Sequence, residues 1–441
     1  MKYLFFITFL MANHAHAESL TIVDAYRLAL TYDAQFAAAR ANNLGQHDEI
    51  DLAKSAFFPK VGLSINQGRS YQDFSTANSP SASRNYSTQN INLSLRQPLY
   101  NRAIMASYDS AKASAEASDA SLEKEKSSLL VRLTAAYLSV LSAIDNIDHS
   151  KQLKAAAEMQ LESAHSRYKN GQGTVTEISE SLAQKDNAIA EELTWLNAYE
   201  DSKHKLEMFI GAYPSKLYLL DSSKIKKSIP EPSTPDEWIA LGLDNSFEIK
   251  ASAKAVEVAQ HDLEKRKAGH YPTIDLVLSR VKSESDNNFT VGNVYDTTSL
   301  TVQGNLPIYS GGYVIASVGQ GEHRLQEARN KLDQKTREVT SNIRKYYSAC
   351  NNGIAQMTAK ENLVKAGEDA LKGTIKGFEN GFRTNVEVLN AQEKLYKSMV
   401  DLSTTRYDFV SNLISLLDAT GTIGQETIED LNSWFVIEEQ K

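Results

Sequence analysis

GFENGFRTNVEVLN, residues 377–390, interrupts a long helical pattern with two glycines, and RYKNGQGTVTEISE, residues 167–180, does the same earlier in the chain. Laid together, Asn170, Gly171, Thr174 and Glu177 fall on Asn380, Gly381, Thr384 and Glu387. Tyr168 falls on Phe378, and Ile178 on Val388. Gly171 and Gly381 allow the backbone to reverse without a Cβ clash. Thr174 and Thr384 are suited to cap the helix that returns. The chain writes one helix–turn–helix twice.

The echo extends outward from these turns in a constant order. SAFFPKVGLSI (55–65) returns as AGHYPTIDLVL (268–278), and LSLRQPLYNRAIMAS (93–107) as VQGNLPIYSGGYVIAS (302–317). A period this long is a duplicated half rather than a solenoid repeat. Between the halves, GAYPSKLYLLDSSKIKKSIPEPSTPDEW (211–238) carries prolines and short apolar pieces, and reads as a connector.

Each half has the same grammar. A helix comes first, over roughly 20–56 and roughly 236–270. After Pro59 and Pro272 the pattern alternates. Val61, Leu63 and Ile65 interleave with Gly62, Ser64 and Asn66, and Ile91, Leu93 and Leu95 with Asn92, Ser94 and Arg96. Ile274, Leu276 and Leu278, then Leu300, Val302 and Leu306, repeat the pattern in the second half. Period-two alternation predicts strands with one apolar face. The stretches 68–87 and 283–296 are polar and read as loops. Asn101 and Ser310 are candidate N-caps of two helical runs, over about 101–169 and 311–379. Apolar and small residues recur there at three-and-four spacing, as at Leu129, Leu133, Ala136, Val140 and Ala143. Each run makes a rod of about 100 Å. The turns end these rods, and helices return over about 175–210 and 385–419.

Composition narrows the function. Asp and Glu number 55 against 47 Lys and Arg, and no basic face stands out, which argues against nucleic acid as a partner. MKYLFFITFLMANHAHA reads as a secretory signal over 1–17, cut before Glu18, with no cysteine at the cut site for a lipid anchor. Beyond it there is no uninterrupted apolar run of about 18 residues, so no transmembrane helix is predicted. Cys350 is the only cysteine and reads as a buried structural thiol. The histidines are scattered without ligand spacing, no Ser/His/Asp grouping stands out, and Gly319 and Gly321 lie inside a helical run with no strand before them. No enzyme, metal site or cofactor is predicted.

The strands admit two settings: a periplasmic sheet with its polar face outward, or a membrane barrel. Lipid accepts only closed barrels, and four strands cannot close one. Two chains would supply eight, a barrel that side chains fill; three would supply twelve, wide enough for a channel, with small polar residues such as Gly62, Ser64, Asn92, Ser94 and Thr301 suiting a wet interior. Coupling of each strand pair to two long rods, which need partners for their seams, favours the channel.

The signal segment, ESLTIVDAYRLAL near the mature start, the FFPKVGLS and HYPTIDL pair, LPIYSGG before a long helix and the doubled NGxxT turns together resemble the TolC family of outer-membrane ducts. The resemblance covers essentially the whole mature chain. It implies an α+β membrane channel: a homotrimer with four β-strands per chain in a shared 12-stranded β-barrel, continuing into a long α-helical coiled-coil periplasmic tunnel. The segments are then a first repeat over 18–210 (strands within 61–99, tip near 170–176), a connector over 211–235, a second repeat over 236–420 (strands within 273–308, tip near 380–386) and a C-terminal equatorial segment over 421–441. The missing lipid cysteine is like the TolC branch and unlike the acylated drug-efflux branch.

What the resemblance implies for residues is specific. The turns would lie at the periplasmic tip, and Gly171, Thr174, Gly381 and Thr384 would contact a periplasmic adaptor (a membrane fusion protein). Family carboxylates that line the pore match Glu387 and Asn390; Asn390 departs from the pattern, so the second ring would be neutral. Glu180 is the first-half counterpart of Asn390 and joins the constriction candidates. Bottom-up, Glu387 also reads as an ordinary solvated helix carboxylate. Arg383 matches a family arginine that latches the tip, with partners around Thr176 and Glu177. Phe378 stands where the family often has a tyrosine, so that hydroxyl link is lost. The implied partners are an adaptor, an inner-membrane ABC or proton-driven pump, and outer-membrane lipid. The implied function is an exit duct for secreted proteins, small toxic compounds or both. A coiled-coil periplasmic adaptor or structural protein of an export complex is the alternative reading; a passive porin would need far more strands per chain.

Overall fold

The computed structural model describes residues 20–77, 79–227, 231–285 and 293–436. The signal segment expected at 1–17 lies outside them, as does the end of the C-terminal segment, 437–441. Helices α1 (Ile22–Tyr32) and α2 (Ala34–Ser55) lead to strands β1 (Lys60–Thr76) and β2 (Ser79–Tyr100), then to α3 (Arg102–Lys169) and α4 (Val175–Ile210). After the short strand β3 (Leu219–Leu220) the order recurs: α5 (Pro235–Asn245), α6 (Phe247–Lys267), β4 (Thr273–Ser285), β5 (Asn293–Asn305), α7 (Tyr313–Glu379) and α8 (Asn385–Thr420). Helix α9 (Gln425–Asn432) and strand β6 (Phe435–Val436) follow.

Where one opening helix per half was expected, there are two. The breaks fall at Asp33 and Ser246. The Asp33 carboxylate accepts from the Phe36 N–H at 2.7 Å, starting α2 afresh while the Asp33 N–H still donates to Ala29 at 2.9 Å. Side chains of this kind compete with helix continuation. Both long helices follow a change of backbone direction. Asn101 caps α3 by accepting from Ala103 N–H at 3.0 Å. Ser310 does not begin α7; Gly311 and Gly312 take left-handed angles (φ 61 and 83) and α7 starts at Tyr313.

The chain divides into two compact units. One consists of Arg40–Ser121 and Glu248–Lys335 and holds the four strands, in the order β1-β2-β4-β5, all antiparallel. Val61 stands opposite Leu95, Leu95 opposite Leu278, and Leu278 opposite Leu300, so one rung is apolar across the whole sheet. The next rung, Gly62, Ser94, Ser279 and Ser299, is small and polar and faces the other way. The apolar face is bare: Val61 is 67% exposed, Leu63 63% and Leu300 67%. Strands β1 and β5 each lack a second neighbour among the described residues.

The stretch 68–87 is not a loop. Pairs Gly68–Thr88, Ser70–Tyr86 and Gln72–Arg84 continue the β1–β2 ladder almost to its end. A ladder needs backbone partners and not apolar side chains, so polar composition misleads there. Of 283–296, the ends belong to β4 and β5 and the middle lies outside the described residues. Near the helices of this unit, Arg102 pairs with Glu264 at 3.0 Å, and Asp119 accepts from Asn43 at 2.8 Å.

The other unit consists of Met1–Ala39, Leu122–Phe247 and Thr336–Lys441. Its core includes the fully buried Leu129, Leu133, Leu206, Ile343 and Val410. One window of α3 is apolar enough to cross a membrane by composition, but 56% of it is buried in the packing, as in a core helix. Connector and C-terminus meet in this unit: β3 pairs with β6, Leu220 opposite Phe435. Tyr137, on α3, anchors that sheet; its hydroxyl donates to Leu20 at 2.9 Å and accepts from the Tyr218 N–H at 3.0 Å. Its ring meets Phe435 edge-on at 5.6 Å. Cys350 is fully buried, and burial pushes its thiol up to about 12.

Candidate functional site: the two helical turns

Both turns belong to the second unit described above. Helix α3 ends as the Asn170 N–H donates to Ser166 at 3.1 Å and the Gly171 N–H to Tyr168 at 3.0 Å. Helix α7 ends the same way: the Asn380 N–H donates to Lys376 at 3.1 Å and the Gly381 N–H to Phe378 at 3.0 Å. Gly171 (φ 70) and Gly381 (φ 77) are left-handed, a conformation that penalises any side chain. Thr174 then caps α4, accepting from the Glu177 N–H at 3.2 Å. Thr384 caps α8, accepting from the Glu387 N–H at 3.3 Å.

The second turn goes further. The Thr384 N–H donates to Oε2 of Glu387 at 2.7 Å, which completes a reciprocal capping box. Arg383 donates to Oε1 of the same carboxylate at 2.6 Å. The Thr384 backbone N–H first, and then the Arg383 guanidinium, hold the Glu387 carboxyl below its usual range. In the first turn one oxygen of Glu177, Oε2, is buried and accepts no hydrogen bond among the described residues.

Arg383 is thus engaged within its own turn, with the first turn of the helix that follows it. Among the described residues, no bond joins it to Thr176 or Glu177, the partners expected for a latch. Glu387 lies one turn away and is reached without crossing to the other hairpin. Phe378 is 7% exposed, and the Arg167 guanidinium stands 4.6 Å above its ring. Glu180 is half-buried on α4, while Thr176 and Asn390 are exposed. Phe382, which was not singled out, is 85% exposed on the second turn.

Three other residues join the site that sequence reading missed. Asn385 is 2% exposed at the start of α8. Its Nδ2 donates to Ser181 Oγ at 3.0 Å and to the Glu177 carbonyl at 3.4 Å, and its Oδ1 accepts from Gln160. The one available signal was the mismatch in the doubled turn, since Asn385 falls on Val175.

A protein-family model described as "Outer membrane efflux protein" matches residues 25–212 and again 238–422, one match per half. The chain belongs to the outer membrane efflux protein family. As a member of this family it is an outer-membrane protein, and the family is one of channels rather than enzymes. It is 29% identical to the alkaline protease secretion protein AprF of Pseudomonas aeruginosa, over 98% of this chain and 90% of that one. It is 27% identical to the outer membrane protein TolC of Vibrio cholerae, over 96% of this chain and 95% of TolC. The TolC-like fold is shared with the crystal structure of the outer membrane protein VceC from Vibrio cholerae, at a TM-score of 0.74 and 20% identity, covering 91% of this chain and 96% of that one.

Proposed function

We propose that this efflux-family protein is the exit duct of a tripartite export system. It would passively conduct cargo delivered by an inner-membrane ABC or proton-driven pump through a periplasmic adaptor. The observation that carries this reading is the four-stranded sheet, which has a bare apolar face and two edge strands that each lack a second neighbour among the described residues. In lipid such edges leave backbone groups unsatisfied. If β1 of one copy pairs with β5 of the next, three copies close a twelve-stranded barrel, wide enough for a channel. The small polar face of Gly62, Ser94, Ser279 and Ser299 then lines its interior, and lipid covers Val61, Leu63 and Leu300.

In this reading the six turns of a homotrimer ring the periplasmic end. Glu387, Asn390 and Glu180 border the constriction. Gly171, Thr174, Gly381 and Thr384 present the turn backbones to the adaptor, and Phe382 projects beside them. Arg383 would latch the tip by reaching Thr176 and Glu177 of a neighbouring hairpin in the trimer, and Phe378, which has no hydroxyl, leaves that latch one link short. Because Asn390 carries no charge and Glu387 is paired, cation blockage of the pore is weak.

For cargo, the protease-secretion relative favours protein. The test is the culture-supernatant proteome with and without this gene. Loss of one or a few large proteins supports a secretion duct. An unchanged supernatant, together with raised sensitivity to drugs and bile salts, replaces protein cargo with small-molecule efflux.

A further inference from the structure

The doubled turn is written twice but built differently, and the difference centres on Asn385. Its counterpart Val175 is 60% exposed, whereas Asn385 is 2% exposed. Around it, Ser181 on α4 is fully buried and Gln160 on α3 is 9% exposed. A carboxamide has two donor hydrogens and one acceptor oxygen to satisfy. Here both ends are used: Nδ2 towards Ser181 Oγ and the Glu177 carbonyl, Oδ1 towards Gln160. Three helices are therefore tied at one side chain, immediately next to Thr384 and two residues from Glu387.

A buried amide stabilises only the arrangement in which its partners are in place. Lose them and the group keeps its desolvation cost. Apolar neighbours such as Val388, fully buried on the same helix, tolerate sliding far better, because dispersion contacts have no direction. A single buried asparagine in a coiled-coil seam fixes register for the same reason, at some cost in stability. The first turn has no such tie at Val175.

We propose that Asn385 is a register lock. It holds the first turn of α8 at one height and rotation on α4, and so positions the Arg383–Thr384–Glu387 unit. The second turn can leave this position only by giving up the bonds to Ser181, Glu177 and Gln160 together. The consequence for opening rests on the exit-duct reading; the lock itself does not.

Two measurements on the full-length protein separate these. Hydrogen exchange is followed in the 377–390 segment of the parent, Asn385→Val, and the exchanged pair Asn385→Ser with Ser181→Asn. Loss of the lock speeds exchange in that segment on the order of tenfold, the equivalent of one buried hydrogen bond. The exchanged pair, which restores a side-chain bond between the same positions, recovers protection; a purely space-filling role predicts no recovery. Unchanged exchange in Asn385→Val, or no recovery in the pair, overturns the lock. If Asn385→Val fails to fold, Ser181→Ala, which removes one partner at small volume, is read in the same way. Planar-bilayer conductance is then compared. Asn385→Val is expected to open more readily than the parent, with recovery in the pair. A parent that conducts nothing overturns the exit-duct reading while the exchange result still decides the lock.

Discussion

Arg383 and Glu387 stand one helical turn apart and are joined by an ion pair of 2.6 Å, while the second oxygen of Glu387 takes the Thr384 N–H at 2.7 Å. A pore carboxylate candidate is therefore also the cap of its own helix. Its charge is shared with a guanidinium rather than presented bare.

Replacing Arg383 with serine removes the guanidinium and leaves the capping box in place. Two outcomes are expected in planar bilayers: conductance above the parent, and stronger blockage by divalent cations, since Glu387 is left unpaired. Unchanged conductance removes Arg383 from closure, and unchanged blockage removes Glu387 from the pore.

The pH dependence has a definite sign. The Glu387 carboxyl is held below its ordinary value of 4.5, by the Thr384 N–H and then by Arg383. A lowered folded-state pKa contributes stability that is fully present above 4.5 and is lost as pH falls through the folded value. Protection of the first turn of α8 should hold steady from neutral pH down to about 4.5 and decline only below it. Hydrogen exchange across that range, compared with Glu387→Gln, checks this; a decline beginning near pH 6 contradicts the assignment.

Tyr137→Phe keeps the ring against Phe435 and deletes the hydroxyl that joins Leu20 and Tyr218. The Leu20 carbonyl and the Tyr218 N–H beside the β3–β6 sheet keep only their bond to each other, 3.4 Å long, and the lost hydroxyl bonds cost about 1 kcal/mol. The thermal midpoint of the purified protein should fall. A midpoint equal to the parent's would mean that water replaces the hydroxyl.

Gly242 admits no side chain as built: a Cβ there would stand 2.2 Å from Cδ1 of Ile343. Gly242→Ala should destabilise by about 1–3 kcal/mol through overpacking. Trimming the neighbour, Ile343→Val, should return part of the loss because it removes the clashing methyl. If the double variant is less stable than Gly242→Ala alone, the clash is not the cause.

Local chemistry was readable in advance where cause and effect lie within a few residues. Strand alternation, the glycine reversals and the threonine caps all act over two to four positions, so the doubled grammar announced them. The same rule explains two failures. Polar 68–87 offered no apolar alternation, yet its backbone pairs in β1 and β2. The break at Asp33 turns on one side chain, whose carboxylate takes the Phe36 N–H, and helix periodicity registers neither it nor the break at Ser246.

By itself, the sequence determined the duplication, the four long strands and the four long helices in their order, the two turns and the residues that cap them, because each depends on near neighbours along the chain. Tertiary structure alone decided that β2 pairs with β4, that β3 pairs with β6, and that Asn385 is buried while Val175 is not. Those facts join residues far apart in sequence. A buried amide's worth is set by partners on other helices, Gln160 and Ser181, whose approach no local pattern records.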